Sequence, residues 1–99
     1  MNQKLPSSFR LKVIAPRKLL MDEEVQELSL PSLDGYLGIL PGHRPLFLAL
    51  GKGRITYRVA EKEENLFVQG GYAEILPDRV HVFTELSEDE TEQPAEGQG

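Results

Sequence analysis

The sequence contains no cysteine, so neither a disulfide nor a thiolate-bound metal can brace the fold. That absence fits a reducing compartment. No apolar run approaches the ~20 residues that a membrane-spanning helix requires. The longest relevant stretch, Leu46-Phe47-Leu48-Ala49-Leu50, has the length of a strand. The N-terminus lacks a continuous apolar segment followed by a small-residue cleavage site, which argues against a secretory signal. Helical periodicity is missing too. Asp22-Glu23-Glu24 could cap a helical turn, but the apolar spacing after it does not continue at 3.6 residues. Basic residues do not gather with aromatics along one strand, which argues against nucleic acid as a partner. There is no Gly-Lys-Ser/Thr and no glycine-rich turn opening into a helix, so a phosphate cradle is not expected.

What is present fits one small domain: 99 residues leave room for no more. The net charge of -5 is unevenly spread. Residues 1–84 carry eleven basic and ten acidic side chains, whereas residues 85–99 carry six acidic and none that is basic. The near-neutral part reads as the domain, and the acidic end holds too little apolar surface to offset the ordering of its backbone. The expected organisation is a flexible N-terminus over 1–8, a folded domain over 9–86 and a disordered acidic tail over 87–99.

Within the domain the dominant period is two. Phe9, Leu11 and Val13 alternate with Arg10 and Lys12, the pattern of a strand with one buried face, and Pro16 ends it. Val25 to Leu30 reads as another strand with Leu28 and Leu30 inward. Arg54 to Val59 places Ile55, Tyr57 and Val59 on one side. Leu66–Val68, Tyr72–Leu76 and Arg79–Phe83 complete the set, with Pro77-Asp78 suited to a tight hairpin turn. Seven to ten short strands separated by Gly/Pro-rich turns predict an all-β sandwich or barrel.

The densest segment runs from Asp34-Gly35-Tyr36-Leu37-Gly38 through Ile39-Leu40-Pro41-Gly42-His43 to Arg44-Pro45. Glycines 35, 38 and 42 are placed to adopt positive φ or to permit close backbone approach, and the prolines narrow the alternatives. Two compatible readings follow. The glycines let the chain change sheets, or they hold a stiffly specified loop and short strand presenting Tyr36 and Leu37 for recognition. Gly70-Gly71 reads as a bulge or tight crossing. If φ is positive at Gly38 or Gly71, alanine there is expected to cost about 1–2 kcal/mol. His43 and His81 each lack the companions that metal or nucleophilic chemistry needs, so both read as structural or interfacial. Asp22, Glu23, Glu24 and Glu27 read as a solvated face rather than a catalytic carboxylate pair.

Several of these runs carry a resemblance. Leu28-Ser29-Leu30-Pro31 precedes Asp34 to His43 and Pro45-Leu46; Phe67-Val68-Gln69-Gly70-Gly71-Tyr72-Ala73-Glu74-Ile75 and Val80-His81-Val82-Phe83 follow in order. Over Phe9 to about Leu86 the sequence resembles the N-terminal domain of the epsilon subunit of F-type ATP synthases. The resemblance implies a flattened β-sandwich of about ten strands at the foot of a rotating central stalk. It further implies that one side packs on the gamma subunit, while the loop at Asp34–Gly38 approaches the polar loops of the membrane c-ring. Leu40, Pro41, Gly42, His43, Gly70 and Gly71 then serve turns and interfaces. On this view the chain is a non-catalytic rotor subunit coupling ion translocation to ATP synthesis, at the cytoplasmic face of the inner membrane. It has no catalytic, metal or nucleotide site, no cofactor, no nucleic-acid partner and no direct membrane insertion. Ion selectivity resides in the ring, so this chain does not name the ion.

Two departures accompany the resemblance. The family often has a carboxylate where this chain has Tyr36, so an aromatic, hydrogen-bonding contact is expected there instead. Many bacterial members continue into two helices that restrain hydrolysis. Ser87–Gly99 is too short, acidic and poor in apolar residues for such a hairpin, so inhibition and nucleotide sensing are not expected. The competing reading is a small ligand-binding β-barrel or sandwich protein of another family. It requires a concave pocket with convergent polar groups, where the subunit reading requires flat, partly apolar surface.

Overall fold

The computed structural model describes residues 6–87. Residues 1–5 and 88–99 lie outside the described residues, as do the expectations of flexibility and disorder that fall on them.

Ten strands follow in order: β1 (Phe9–Ala15), β2 (Lys18–Val25), β3 (Glu27–Ser32), β4 (Gly35–Ile39), β5 (Leu46–Ala49), β6 (Lys52–Val59), β7 (Lys62–Gln69), β8 (Tyr72–Leu76), β9 (Arg79–Phe83) and β10 (Leu86–Ser87). They form two five-stranded sheets, ordered β2-β1-β9-β8-β5 and β10-β7-β6-β3-β4. All pairings are antiparallel except β1 with β9. The expected sandwich of about ten short strands is what the chain forms.

The alternation read from β1 is realised: Phe9, Leu11, Val13 and Ala15 are buried while Arg10 faces solvent. Facing them across the core are Leu28, Leu30, Ile39, Ile55 and Val68. Each such aliphatic side chain contributes about 1.5–3 kcal/mol by leaving water. Tyr57 and Val59 extend the inward face of β6 and pack against this cluster, as their spacing from Ile55 predicts.

β2 was not legible as a strand. Val13 faces Met21 but Ile14 faces Leu19, so Leu20 is an extra residue on β2. This bulge lets the consecutive Leu20 and Met21 both pack against the core, which breaks the period of two. The Asp22–Glu24 run that resembled a cap therefore lies within an edge strand.

Of the chain's five changes of sheet, those at Leu50-Gly51, Gly70-Gly71 and Thr84-Glu85 lie together at one end of the sandwich. Backbone hydrogen bonds lace the crossings together there: Gly51 N to Pro31 O (2.8 Å), Leu50 N to Gly71 O (2.9 Å), Gly70 N to Gly51 O (3.0 Å) and Thr84 N to Ile14 O (2.9 Å). Thr84 is a buried polar side chain, and its hydroxyl accepts from Gln69 N at 3.4 Å. Gly71, with φ of 103°, sits at the centre of this lacing. At the other end Gly42 N donates to Pro77 O (3.0 Å), and Pro6 packs beside Gly42. The Ser8 hydroxyl donates to Glu24 (2.8 Å). Ser87, expected in the tail, pairs with Val68.

Gly35, Gly42, Gly70 and Gly71 have positive φ, but Gly38 does not, and a Cβ added there meets nothing within 4 Å. The condition for a costly alanine is therefore not met at Gly38. Gly38 lies in a regular strand with open space above it. Gly38→Ala is expected to be neutral or to stabilise by about 0.5–1 kcal/mol, through the lower entropy of the unfolded chain. A melting curve checks it: Tm equal to or a few degrees above that of the parent.

Candidate functional site

The segment Asp34–Gly38 is a tight turn and strand β4, not a free-standing loop. Leu33-Asp34 forms the tip. Ser32 Oγ donates to Gly35 O and accepts from Asp34 N (3.2 Å), a local closure that serine side chains commonly provide. Alternation along β4 then separates the two residues expected to protrude together. Leu37 packs against the core, whereas Tyr36 lies on the outer face and is 62% exposed. Leu33, at the tip, is 70% exposed and replaces Leu37 as the second projecting side chain.

Tyr36 is anchored despite its exposure. Its hydroxyl accepts the Arg54 N–H at 3.1 Å, and the ring end reaches Gly53 beside Pro31. A side chain at position 53 would collide with that hydroxyl, so Gly53 is what allows Tyr36 to lie flat. Sequence reading missed Gly53, because nothing in Lys52-Gly53-Arg54 marks it. Between the free edges of β4 and β5 lies a hollow of about 430 Å³ lined by Leu33, Tyr36, Leu37, Leu48 and Ala49.

Leu40, Pro41, Gly42 and His43 belong to the opposite end of β4 from this tip. His43 Nδ1 lies 2.7 Å from Arg44 O, a local turn contact, and Leu40 is exposed. Gly70 and Gly71 return to the tip end through the crossings described above. One continuous sequence motif is thereby divided between two ends of the domain.

A larger surface lies on the outer face of the first sheet. Pairing places Leu19 beside Ile14, Ile14 beside Phe83, and Phe83 beside Tyr72. Phe47 on β5 completes the row. The Tyr72 ring stacks on Phe83 (centroids 4.8 Å apart, 26° between planes) and meets Phe47 at 5.1 Å. Leu19, Phe47 and Tyr72 are 51%, 66% and 41% exposed. Apolar side chains from five strands thus form one band across the sheet, and offset aromatic contacts of this kind fix the orientation of the rings.

Charged groups border the band. Arg10 contacts Asp22 at 2.6 Å and Glu24 at 3.5 Å. The hydrogen bond and charge of Asp22 push the Arg10 guanidinium up. Asp22 is held below the usual carboxylate value chiefly by its hydrogen bond from Arg10, against some desolvation. On the other sheet Arg58 pairs with Glu27, and Arg54 lies 5.9 Å from the centre of the Phe67 ring while bonding Asn65 (2.8 Å). Such exposed pairs orient a surface and add little stability. The four carboxylates Asp22, Glu23, Glu24 and Glu27 do not converge: Asp22 and Glu24 serve Arg10, and Glu27 serves Arg58. The Tyr57 hydroxyl is pushed up by burial and then by the charges of Glu64 and Glu23. Among the described residues no group of three His, Asp or Glu side chains could hold a metal ion.

Comparison with known proteins gives a consistent result. A family described as the β-sandwich domain of the ATP synthase delta/epsilon chain matches residues 8–90. The ATP synthase epsilon chain of Solibacter usitatus is 40% identical over 84 residues, covering 85% of this chain and 63% of that one. The ATP synthase epsilon chain of Synechocystis sp. is 44% identical over 81 residues, covering 82% and 60%. The chain therefore spans somewhat less than two thirds of the length of these relatives. Among solved structures, a chain of the Euglena gracilis mitochondrial ATP synthase superposes with a TM-score of 0.78 at 18% identity, over 93% of this chain and 61% of that one. A chain from the central stalk and c-ring of the Tetrahymena thermophila mitochondrial ATP synthase gives 0.68 at 14% identity, over 96% and 78%. At such identities the likeness concerns the fold.

Proposed function

We propose, from the premise that the chain belongs to the ATP synthase delta/epsilon family, that it is a non-catalytic central-stalk subunit of an F-type ATP synthase. It links the gamma subunit to the membrane c-ring, so that ion-driven rotation of the ring reaches the catalytic subunits, at the cytoplasmic face of the membrane. One observation carries the reading beyond family membership: the domain has two separate exposed apolar surfaces. The aromatic band crosses the outer face of one sheet, and at the end of the other Leu33 projects beside Tyr36, whose ring lies flat on that sheet's outer face. A part that transmits torque between two bodies needs two such footings. The band is the broader and suits the gamma subunit; the narrow tip suits the short loops of a ring. The tip brings an aromatic ring with a fixed hydroxyl instead of a carboxylate, so its contact is one of packing and hydrogen bonding.

Purification of the complex from native membranes tests the assignment: the chain is expected to co-purify with gamma and the c-ring. Leu33→Ser with Tyr36→Ser is expected to reduce ATP synthesis coupled to the ion gradient in membrane vesicles several-fold. The free domain should melt within a few degrees of the parent, because both side chains are more than half exposed. Unchanged coupling, with the subunit present in normal amount, would remove the tip from the mechanism. Leu37 is unsuitable for this test, because its loss would disturb the core.

A further inference from the structure

The aromatic band ends in a hollow whose origin is topological. Phe83 closes β9, paired with Ile14 of β1 on one side and with Tyr72 of β8 on the other. β1 runs on through Ala15 to Pro16, and Gly71 leads into β8. Beyond Phe83 the place between them is left open, because the chain turns at Thr84-Glu85 and pairs Leu86 with Gln69 in the other sheet. The space is about 370 Å³, walled by Ile14, Pro16, Tyr72 and Phe83, with Thr84 and Glu85 where the chain leaves. Of the described residues that line it, Glu85 alone is charged.

The Glu85 carboxylate is turned over Gly70, so that a Cβ added at Gly70 would lie 2.8 Å from Glu85 Oε1. The lack of a side chain at position 70 gives the acid that room. Glu85 is exposed, and among the described residues no cation pairs with it. Asp22 and Glu24, the acids at the far end of the band, are already engaged by Arg10.

We propose that this hollow receives a basic side chain, a lysine or arginine, from the gamma subunit, with Glu85 as its counter-charge. The inference rests on the reading of the aromatic band as the gamma footing, which the hollow adjoins through Tyr72 and Phe83. Charge and shape select the occupant. A partner seated on the band takes water from Glu85 as well. An apolar side chain there would leave the carboxylate desolvated with nothing to offset the loss, and an acidic one would repel it. A lysine or arginine suits both parts of the site. Its methylene stem packs on Ile14, Tyr72 and Phe83, while its head reaches the carboxylate. Because this charge is covered on docking, Glu85 governs dissociation more than encounter, unlike the paired charges at the rim.

Binding of the full chain to a complex depleted of it, measured across a range of salt concentrations, is the test. Glu85→Gln is expected to weaken binding at least about tenfold, mainly through faster dissociation, and to flatten the salt dependence. The melting temperature of that variant should stay within a few degrees of the parent, since Glu85 is exposed. Glu85→Lys should weaken binding further, and changing one lysine or arginine of gamma to glutamate should restore it. Parent-like affinity in both Glu85 variants, with binding still weakened by Phe47→Ser, would overturn the proposal and leave the gamma footing standing. Failure of every such gamma reversal to rescue Glu85→Lys would overturn it likewise. Parent-like binding by Phe47→Ser, Tyr72→Ser and both Glu85 variants alike would remove the footing itself, and the inference with it.

Discussion

Gly71→Ala is expected to be the most damaging single-methyl change in the domain, lowering Tm by more than about 12 °C or preventing folding. Two costs fall at the same atom. At φ of 103° an L side chain is strained wherever it sits, a penalty of about 1–3 kcal/mol. In addition the new Cβ would overlap the carbonyl oxygen of Phe83 and lie 2.8 Å from its carbonyl carbon and from Thr84 Cα. These are backbone atoms at the end of β9, and Thr84 N is already tied to Ile14 O in β1. Relief therefore means moving a central strand pair rather than turning a side chain. A combined cost of about 3–5 kcal/mol is large against the roughly 4–12 kcal/mol expected for a folded unit of this size. A domain of 60–100 residues loses about 4–8 °C per kcal/mol. Gly38→Ala is the internal control, one methyl added to a glycine with open space above it. Similar melting temperatures for the two variants would show that the crossing at Gly71 is looser than its geometry implies.

The contrast between these glycines marks where the sequence was readable. Gly70-Gly71 stands between two strongly alternating segments, and β8 and β9 have the bounds that alternation predicts, with Pro77-Asp78 turning between them. A crossing at the glycine pair follows from that frame. Gly38 stood in a motif crowded with glycine and proline, where composition suggested a loop and period two suggested a strand. The strand prevailed because Leu37 and Ile39 alternate about Gly38 and pair with Leu30 and Leu28. The same oversight paired Tyr36 with Leu37 as joint contacts, although adjacent strand residues face opposite sides. β2 stayed hidden for a different reason. Its bulge places Leu20 and Met21 on one side, and an edge position lets Glu23 sit across from Leu11 while remaining exposed. The aromatic band lay beyond local reading altogether. Ile14, Leu19, Phe47, Tyr72 and Phe83 come from five strands, and only the pairing order of the sheet makes them neighbours.

That band carries the second large effect. Phe47→Ser and Tyr72→Ser are each expected to weaken binding of the chain to an isolated gamma subunit by about 30-fold or more, the range of an interface hot spot near 2 kcal/mol. Tyr72 occupies the middle of the aromatic row, between Phe47 and Phe83. Its ring is still 41% exposed and that of Phe47 66%, so much of their surface remains available for a partner to dehydrate. Large, stiff rings anchor interfaces well, since they bury much area while losing little rotamer freedom. The surrounding charges, Arg10 with Asp22 and Glu24 among them, would form the polar rim and influence encounter rate more than affinity. Dissociation should therefore speed up in the variants, while the dependence of affinity on salt stays as in the parent. Loss of Tyr72 also removes ring contacts worth about 0.5–1.5 kcal/mol each within the free domain. A modest fall in Tm is thus expected for Tyr72→Ser, and less for Phe47→Ser. Tyr72→Phe keeps the stack and should bind within a few-fold of the parent. Surface plasmon resonance against immobilised gamma, with melting curves of each variant, separates affinity from stability. Parent-like binding by both serine variants would exclude this face as the gamma footing and leave the outer face of the other sheet, around Arg54 and Phe67, as the surface to test.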